Sequence, residues 1–188
     1  MTSRVMKLSS KKVFLRLPVA SDYKELAARY RSSRKHFAGF ASASYSRAKF
    51  DSMLLEAGKD TNAYFLVCQV EDGKIVGTVN LSQIFRKSFQ NAFLGYQLFA
   101  GFTGNGYMTD AVGLVLYYAF ASLGLHRVEA NVQPNNKESI AVLRRKGFAK
   151  EGFSPRYLKI NGRWRDHERW AILKEDWLAK KLDGRLRD

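Results

Sequence analysis

Cysteine is nearly missing from this 188-residue chain, and proline and histidine are scarce, with three of each. A single cysteine, Cys68, excludes an internal disulfide and a four-cysteine metal cluster. It falls in an alternating apolar segment with no histidine near it, which reads as a core position, and no metal-ligand set is expected. Three prolines leave no proline-rich linker, and neither an internal repeat nor a low-complexity stretch is present. One domain over residues 1–188 is expected, with its core at about 13–177. The longest nearly apolar run, Gly113 to Leu125, falls well short of the ~20 residues that span a bilayer. The basic residues before Lys12 are followed by no apolar stretch of the secretory kind, so a cytoplasmic protein with no membrane partner is expected.

Acidic side chains are also few, 17 against 32 lysines and arginines, for a net charge of +15. The excess is uneven. Residues 1–50 carry 12 basic and 2 acidic side chains, residues 51–143 carry 6 and 8, and residues 144–188 carry 14 and 7. Two basic ends thus flank a near-neutral middle. They are either a solvated surface or a source of attraction to a large polyanion such as RNA or an acidic protein. No RNA-recognition, helix-turn-helix or zinc-finger signature supports a dedicated nucleic-acid module.

Periodicity predicts a strand at Val13–Leu17, a helix from Asp22 to about His36 capped by Ser21, and a second helix over Arg47–Ala57. Strands follow at Ala63–Val70, Ile75–Ile84 and Asn91–Phe99, then a glycine-rich connection and a helix from about Thr109 to Leu123. A strand at Val128–Val132, a helix at about Lys137–Lys146, and a hairpin of Lys150–Ile160 with Arg163–Leu173 complete the core, and Glu175–Leu182 forms a last helix. The Asn161-Gly162 pair suits the two positive φ values of a primed hairpin turn. Strands that first pair as hairpins and later alternate with helices indicate a mixed α/β (α+β) fold with a largely antiparallel sheet.

The segment Phe99-Ala100-Gly101-Phe102-Thr103-Gly104-Asn105-Gly106-Tyr107-Met108 connects a strand to a helix. A helix start offers unpaired N–H groups and the positive end of the macrodipole, and glycines at 104 and 106 let an anion approach them. A phosphate or pyrophosphate ligand fits this pattern, as does a plain tight turn. The NTPase phosphate loop is disfavoured because Tyr107-Met108 replaces its Lys-Ser or Lys-Thr, and the dinucleotide fingerprint because Thr109 replaces its third glycine.

Thr103 to Met108 resembles the (Arg/Gln)-x-x-Gly-x-(Gly/Ala) pyrophosphate loop of the GCN5-related N-acetyltransferases, with Thr103 in place of Gln or Arg and Met108 where Gly or Ala is frequent. Leu94-Gly95-Tyr96, Asn131 to Ser139, Lys146-Gly147-Phe148, Glu151-Gly152 and Trp164-Arg165-Asp166-His167 extend the likeness, which is similar to the ribosomal-protein-alanine (RimJ/RimL-type) branch. The resemblance implies a single domain whose sheet opens in a V between two central strands, here Phe93–Phe99 and Val128–Val132, with helices on its flanks. It implies acetyl-CoA as cosubstrate. The diphosphate then lies on Thr103, Gly104, Asn105, Gly106, Tyr107 and Met108, and the pantetheine arm on Leu98 and Asn136.

The same resemblance places Ser139 as proton donor to the leaving sulfur, because Leu143 occupies the position where many members have a catalytic tyrosine. The bland alternative is that Asn135 or Asn136 caps a helix and Ser139 is merely solvated. Glu129 is a candidate base acting through a water, unless strand alternation turns it away. Asp166 and His167, where family members shape the acceptor pocket, are candidates of the same kind, against a packing role. His126 is structural. The implied activity is acetyl transfer to the N-terminal α-amine of a protein, a ribosomal one. The alternatives are acetylation of a small amine, such as an amino acid or antibiotic, and a non-catalytic ribosome- or RNA-associated module.

Overall fold

The computed structural model describes residues 8–41 and 45–182. In chain order the elements are β1 (Leu8–Ser9), β2 (Val13–Arg16), a 3-10 turn (Ala20–Asp22), α1 (Tyr23–Ser32), α2 (Arg47–Ala57), β3 (Ala63–Gln69), β4 (Ile75–Ser82) and β5 (Asn91–Leu98). Then come α3 (Tyr107–Tyr117) with a π-helical turn (Tyr118–Ser122), β6 (Arg127–Val132), α4 (Lys137–Arg145), β7 (Ala149–Ile160), β8 (Arg163–Leu173) and α5 (Lys174–Leu182). Among the described residues eight strands form one sheet in the order β1-β2-β3-β4-β5-β6-β8-β7, in which only β5 and β6 run parallel.

That parallel contact is brief. Asn91, Ala92 and Phe93 pair with Arg127, Val128 and Glu129, and beyond Phe93 the two strands part. Each stays paired on its other side, β5 to β4 as far as Leu98 and β6 to β8 as far as Val132. The sheet is therefore whole at its margins and forked at its centre.

Both faces of the sheet are covered, which explains the unbroken apolar run of β3. Phe65 and Val67 point into the larger core beneath α3, with Val112, Val115 and Leu116. Leu66 and Cys68 point the other way, into a cluster with Leu26 and Tyr30 of α1, Phe50 of α2, Phe37 and Phe99. Cys68 is a buried free thiol. No helix among the described residues is long and apolar enough to cross a membrane.

Helix α2 begins where the sequence predicts, with the Ser46 hydroxyl accepting the Lys49 N–H at 3.2 Å. At α1 the expected Ser21 cap is replaced by another device. The buried Asp22 carboxylate accepts the Val19 N–H at 2.7 Å and pairs with Arg16 at 2.7 Å, tying the end of β2 to the helix entry. Helix α1 starts one residue later than expected and ends at Ser32 rather than His36. The hairpin turn has φ of 49° at Asn161 and 80° at Gly162, as the Asn-Gly pair demands.

Candidate active site

Helix α3 begins at Tyr107, two residues earlier than its apolar pattern suggests, because Gly106 takes up the N-cap position in a left-handed conformation (φ 79°). Gly104 is left-handed as well, at φ 81°. A glycine cap has no side chain with which to satisfy the first-turn N–H groups, and no side-chain cap is seen among the described residues. Those groups remain directed at whatever lies before the helix. The surrounding side chains turn away and leave the main chain bare. Met108 is buried against the core, its methyl close to Gly77, and the Tyr107 hydroxyl accepts from Gln69 Nε2 at 2.7 Å. Asn105 Nδ2 donates to the carbonyls of Phe102 and Thr103, which braces the loop. Lys12, marked by no motif and 93 residues distant, donates from Nζ to the Asn105 carbonyl at 2.9 Å and brings a cation to the loop. Alanine at Gly106 is strained by roughly 1–2 kcal/mol in this conformation, and its Cβ would lie 3.3 Å from Lys12 Nζ. The expected result is a loss of about tenfold in CoA affinity by calorimetry.

The fork leads away from this loop. Phe99 N–H donates to Val76 O at 2.9 Å, so alternation turns the peptide groups of Leu98 and Tyr96 to the opposite side, toward the gap left by β6. An extended polar arm can pair there as an added strand does. A cavity of about 860 Å³ fills the fork. Thr103, Met108 and Leu98 line its loop end, Asn136, Ser139 and Val142 its α4 side, and Tyr30, Tyr45, Met53 and Glu56 the side of α1 and α2. Asn131 also lines the cavity, and its Oδ1 atom is buried without a hydrogen-bond partner among the described residues. An orphaned buried acceptor of this kind calls for a ligand donor.

Ser139 sits on the first turn of α4. Asn136 Oδ1 accepts its N–H at 3.1 Å, so Asn136 is the cap of this helix and keeps its Nδ2 for the cavity. The Ser139 carbonyl accepts from the Tyr96 hydroxyl at 3.1 Å across the fork. The Ser139 side chain also meets the Tyr96 phenol. Burial raises the Tyr96 phenol far above its ordinary range and pushes that of Tyr30, which donates to Gln97 Oε1 at 2.6 Å, up to about 12. Both therefore act as donors at neutral pH.

The two carboxylates singled out from sequence lie elsewhere. Glu129 is held by Arg127 Nε at 2.8 Å near the closed end of the fork, and Asp166 accepts the Arg156 N–H at 2.7 Å on the final hairpin. Neither is among the residues lining the cavity. His167, by contrast, lines it and is 3% exposed.

Residues 12–149 match the acetyltransferase (GNAT) domain family. The chain belongs to that family. GNAT acetyltransferases use acetyl-CoA, and the loop, the fork and the orphaned acceptor described above fit its diphosphate and its amide-bearing arm. A probable N-acetyltransferase, YjcK of Bacillus subtilis, is 48% identical over 118 residues, 63% of this chain and 65% of the relative. The [ribosomal protein uS5]-alanine N-acetyltransferase of Escherichia coli is 37% identical over 126 residues, 66% of this chain and 65% of that enzyme. The chain thus spans just under two thirds of the length of these curated relatives. Among solved structures, Mycobacterium smegmatis RimJ in complex with CoA-disulfide has 28% identity and a TM-score of 0.80, covering 92% of this chain and 90% of that one.

Proposed function

We propose that this chain is an acetyl-CoA-dependent N-acetyltransferase that modifies the N-terminal α-amine of a protein, a ribosomal protein being the class that its similarity favours. The observation that carries the proposal is the uncapped, glycine-flanked start of α3 opening onto the forked cavity. When bound, acetyl-CoA supplies the thioester carbonyl that the amine attacks. The chain's own groups do the rest. First-turn N–H groups of α3 and Lys12 hold the diphosphate, and the Leu98 and Tyr96 peptide groups hold the arm in register along β5. Asn136 and Tyr96 fix the main chain of Ser139 from both sides, so that its hydroxyl is presented to the departing sulfur. An α-amine with a pKa near 7.7–8.0 is partly neutral at pH 7, and holding it against the thioester contributes several kcal/mol to the rate, on the order expected of proximity.

The charge distribution points to the acceptor. A second cavity of about 650 Å³ shares Tyr30, Ala41 and Tyr45 with the first, and Arg31 and Arg34 line it. Neither guanidinium has an ion-pair partner among the described residues. Such a rim repels polyamines and attracts a peptide with acidic side chains after its N-terminus, or an N-terminus set among ribosomal phosphates. Thiol release from acetyl-CoA, with intact-mass detection of the acceptor, tests the activity. A peptide with acidic residues after its N-terminus is expected to give the higher kcat/KM over a basic one, by a margin that shrinks as salt rises. Equal rates at every salt concentration would count against a charge-selected acceptor, and no thiol release with any acceptor would leave a binding module.

A further inference from the structure

Before an α-ammonium group can attack a thioester it must give up a proton, and Ser139 accounts only for the proton at sulfur. The cavity's other ionisable groups are mostly committed. Burial raises the phenols of Tyr30, Tyr45 and Tyr96, so they hold their protons. The Glu56 carboxylate is occupied by Lys59 Nζ at 2.5 Å and Asn62 Nδ2 at 3.0 Å. Glu129 is outside the lining.

His167 differs from all of these. Its Nδ1 lies 3.0 Å from the Arg165 carbonyl oxygen. A carbonyl can only accept, so Nδ1 carries the hydrogen and Nε2 carries the lone pair. No hydrogen bond from a described residue reaches Nε2. Its placement follows from register. Asn131 of β6 faces Arg169 of β8, and residues two apart share a sheet face, so His167, Asn131 and Gln133 lie on one face. Gln133 Nε2 donates to the Gly39 carbonyl at 2.9 Å, which marks that face as the one covered by the segment after α1. All three residues line the cavity at the open end of the fork. The titratable groups on neighbouring elements leave the imidazole unpaired. The Tyr157 ring is 6.0 Å away, Asp166 accepts the Arg156 N–H, Glu168 is ion-paired with Lys150, and His36 and Glu138 line the cavity from the segment after α1 and from α4.

We infer that His167 Nε2 is the general base that deprotonates the acceptor amine. The inference rests on the acetyl-transfer activity proposed above. One proton passes from the ammonium nitrogen to Nε2. The C–N bond then forms and the C–S bond breaks. The second nitrogen-bound proton moves to the Ser139 oxygen as that hydroxyl gives its own to sulfur, and the imidazolium releases its proton to solvent. Ammonium plus thioester thus gives amide, thiol and one proton.

His167→Gln in the full chain tests this, with a peptide acceptor and with the same peptide bearing an N-terminal aminooxyacetyl group, whose amine is already neutral at the assay pH. The expected result is a loss of about 10²–10⁴ in kcat/KM on the ordinary peptide, near wild-type turnover on the aminooxy peptide, and unchanged CoA affinity. Equal losses on both acceptors, full activity on both, or the same selective loss in His36→Gln instead would overturn the assignment. Nitrogen-15 NMR of the histidine-labelled wild-type chain gives a measurement that needs no variant. The Nδ1–H tautomer with unprotonated Nε2 at neutral pH supports the role, and an imidazolium or the Nε2–H tautomer overturns it. No thiol release by the wild-type chain would overturn the transferase proposal itself, whereas a failure confined to His167→Gln overturns only the base.

Discussion

Ser139→Ala is expected to lower kcat by about 10²–10⁴-fold, the usual contribution of a positioned proton donor, while CoA binds as tightly as before. The separation follows from what holds the residue. Its N–H is bound by the Asn136 side chain and its carbonyl by the Tyr96 hydroxyl, so the main chain of the first turn of α4 stays in place when the hydroxyl is removed. The Tyr96 phenol, which also meets that hydroxyl, keeps its bond to the Ser139 carbonyl when the hydroxyl is removed, so no buried group is left without a partner. Steady-state thiol release with CoA calorimetry on the same preparation measures both quantities. An unchanged kcat would mean that sulfur takes its proton from another source.

Phe99→Ala is expected to cost about 3–5 kcal/mol of folding stability, the range for removing a fully buried aromatic ring. Phe99 has no exposed surface. Its ring meets Tyr30 edge-on at 5.1 Å between centroids and Phe37 at 6.0 Å, and its N–H donates to Val76 O. It therefore joins the end of β5 to α1 and to the segment after it, directly before the glycine-rich loop. Denaturant unfolding with an unchanged m-value is expected to show the loss, with a fall in melting temperature of about 10 °C or more. A shift within experimental scatter would mean that the cluster under α1 closes over the missing ring.

Much of the architecture is legible in the sequence because its signals are local. The Asn161-Gly162 turn and the alternation along β4 each lie within a few residues of what they specify. The conformation of the glycine-rich loop is legible for the same reason, since Gly104 and Gly106 announce a backbone that only glycine adopts without strain. What stays hidden depends on distance along the chain. Lys12 reaches Asn105 across 93 residues, Tyr96 reaches Ser139 across 43, and the acceptor side of the cavity comes from the cluster beneath α1 and α2. The carboxylates show a different limit. Alternation gives the face on which Glu129 stands, but whether its charge is available depends on Arg127, two residues before it on the same strand and also bound to Glu151.

The brevity of the β5–β6 contact has a mechanical consequence. With three residue pairs joining them, the two halves of the sheet resemble a book held by a short spine, with a cavity of about 860 Å³ between the pages. A guest that offers peptide-like donors and acceptors to both pages acts as the missing rung of the ladder. On the function proposed above, cosubstrate capture and the cohesion of the fold are one event, because the same edges of β5 and β6 serve both.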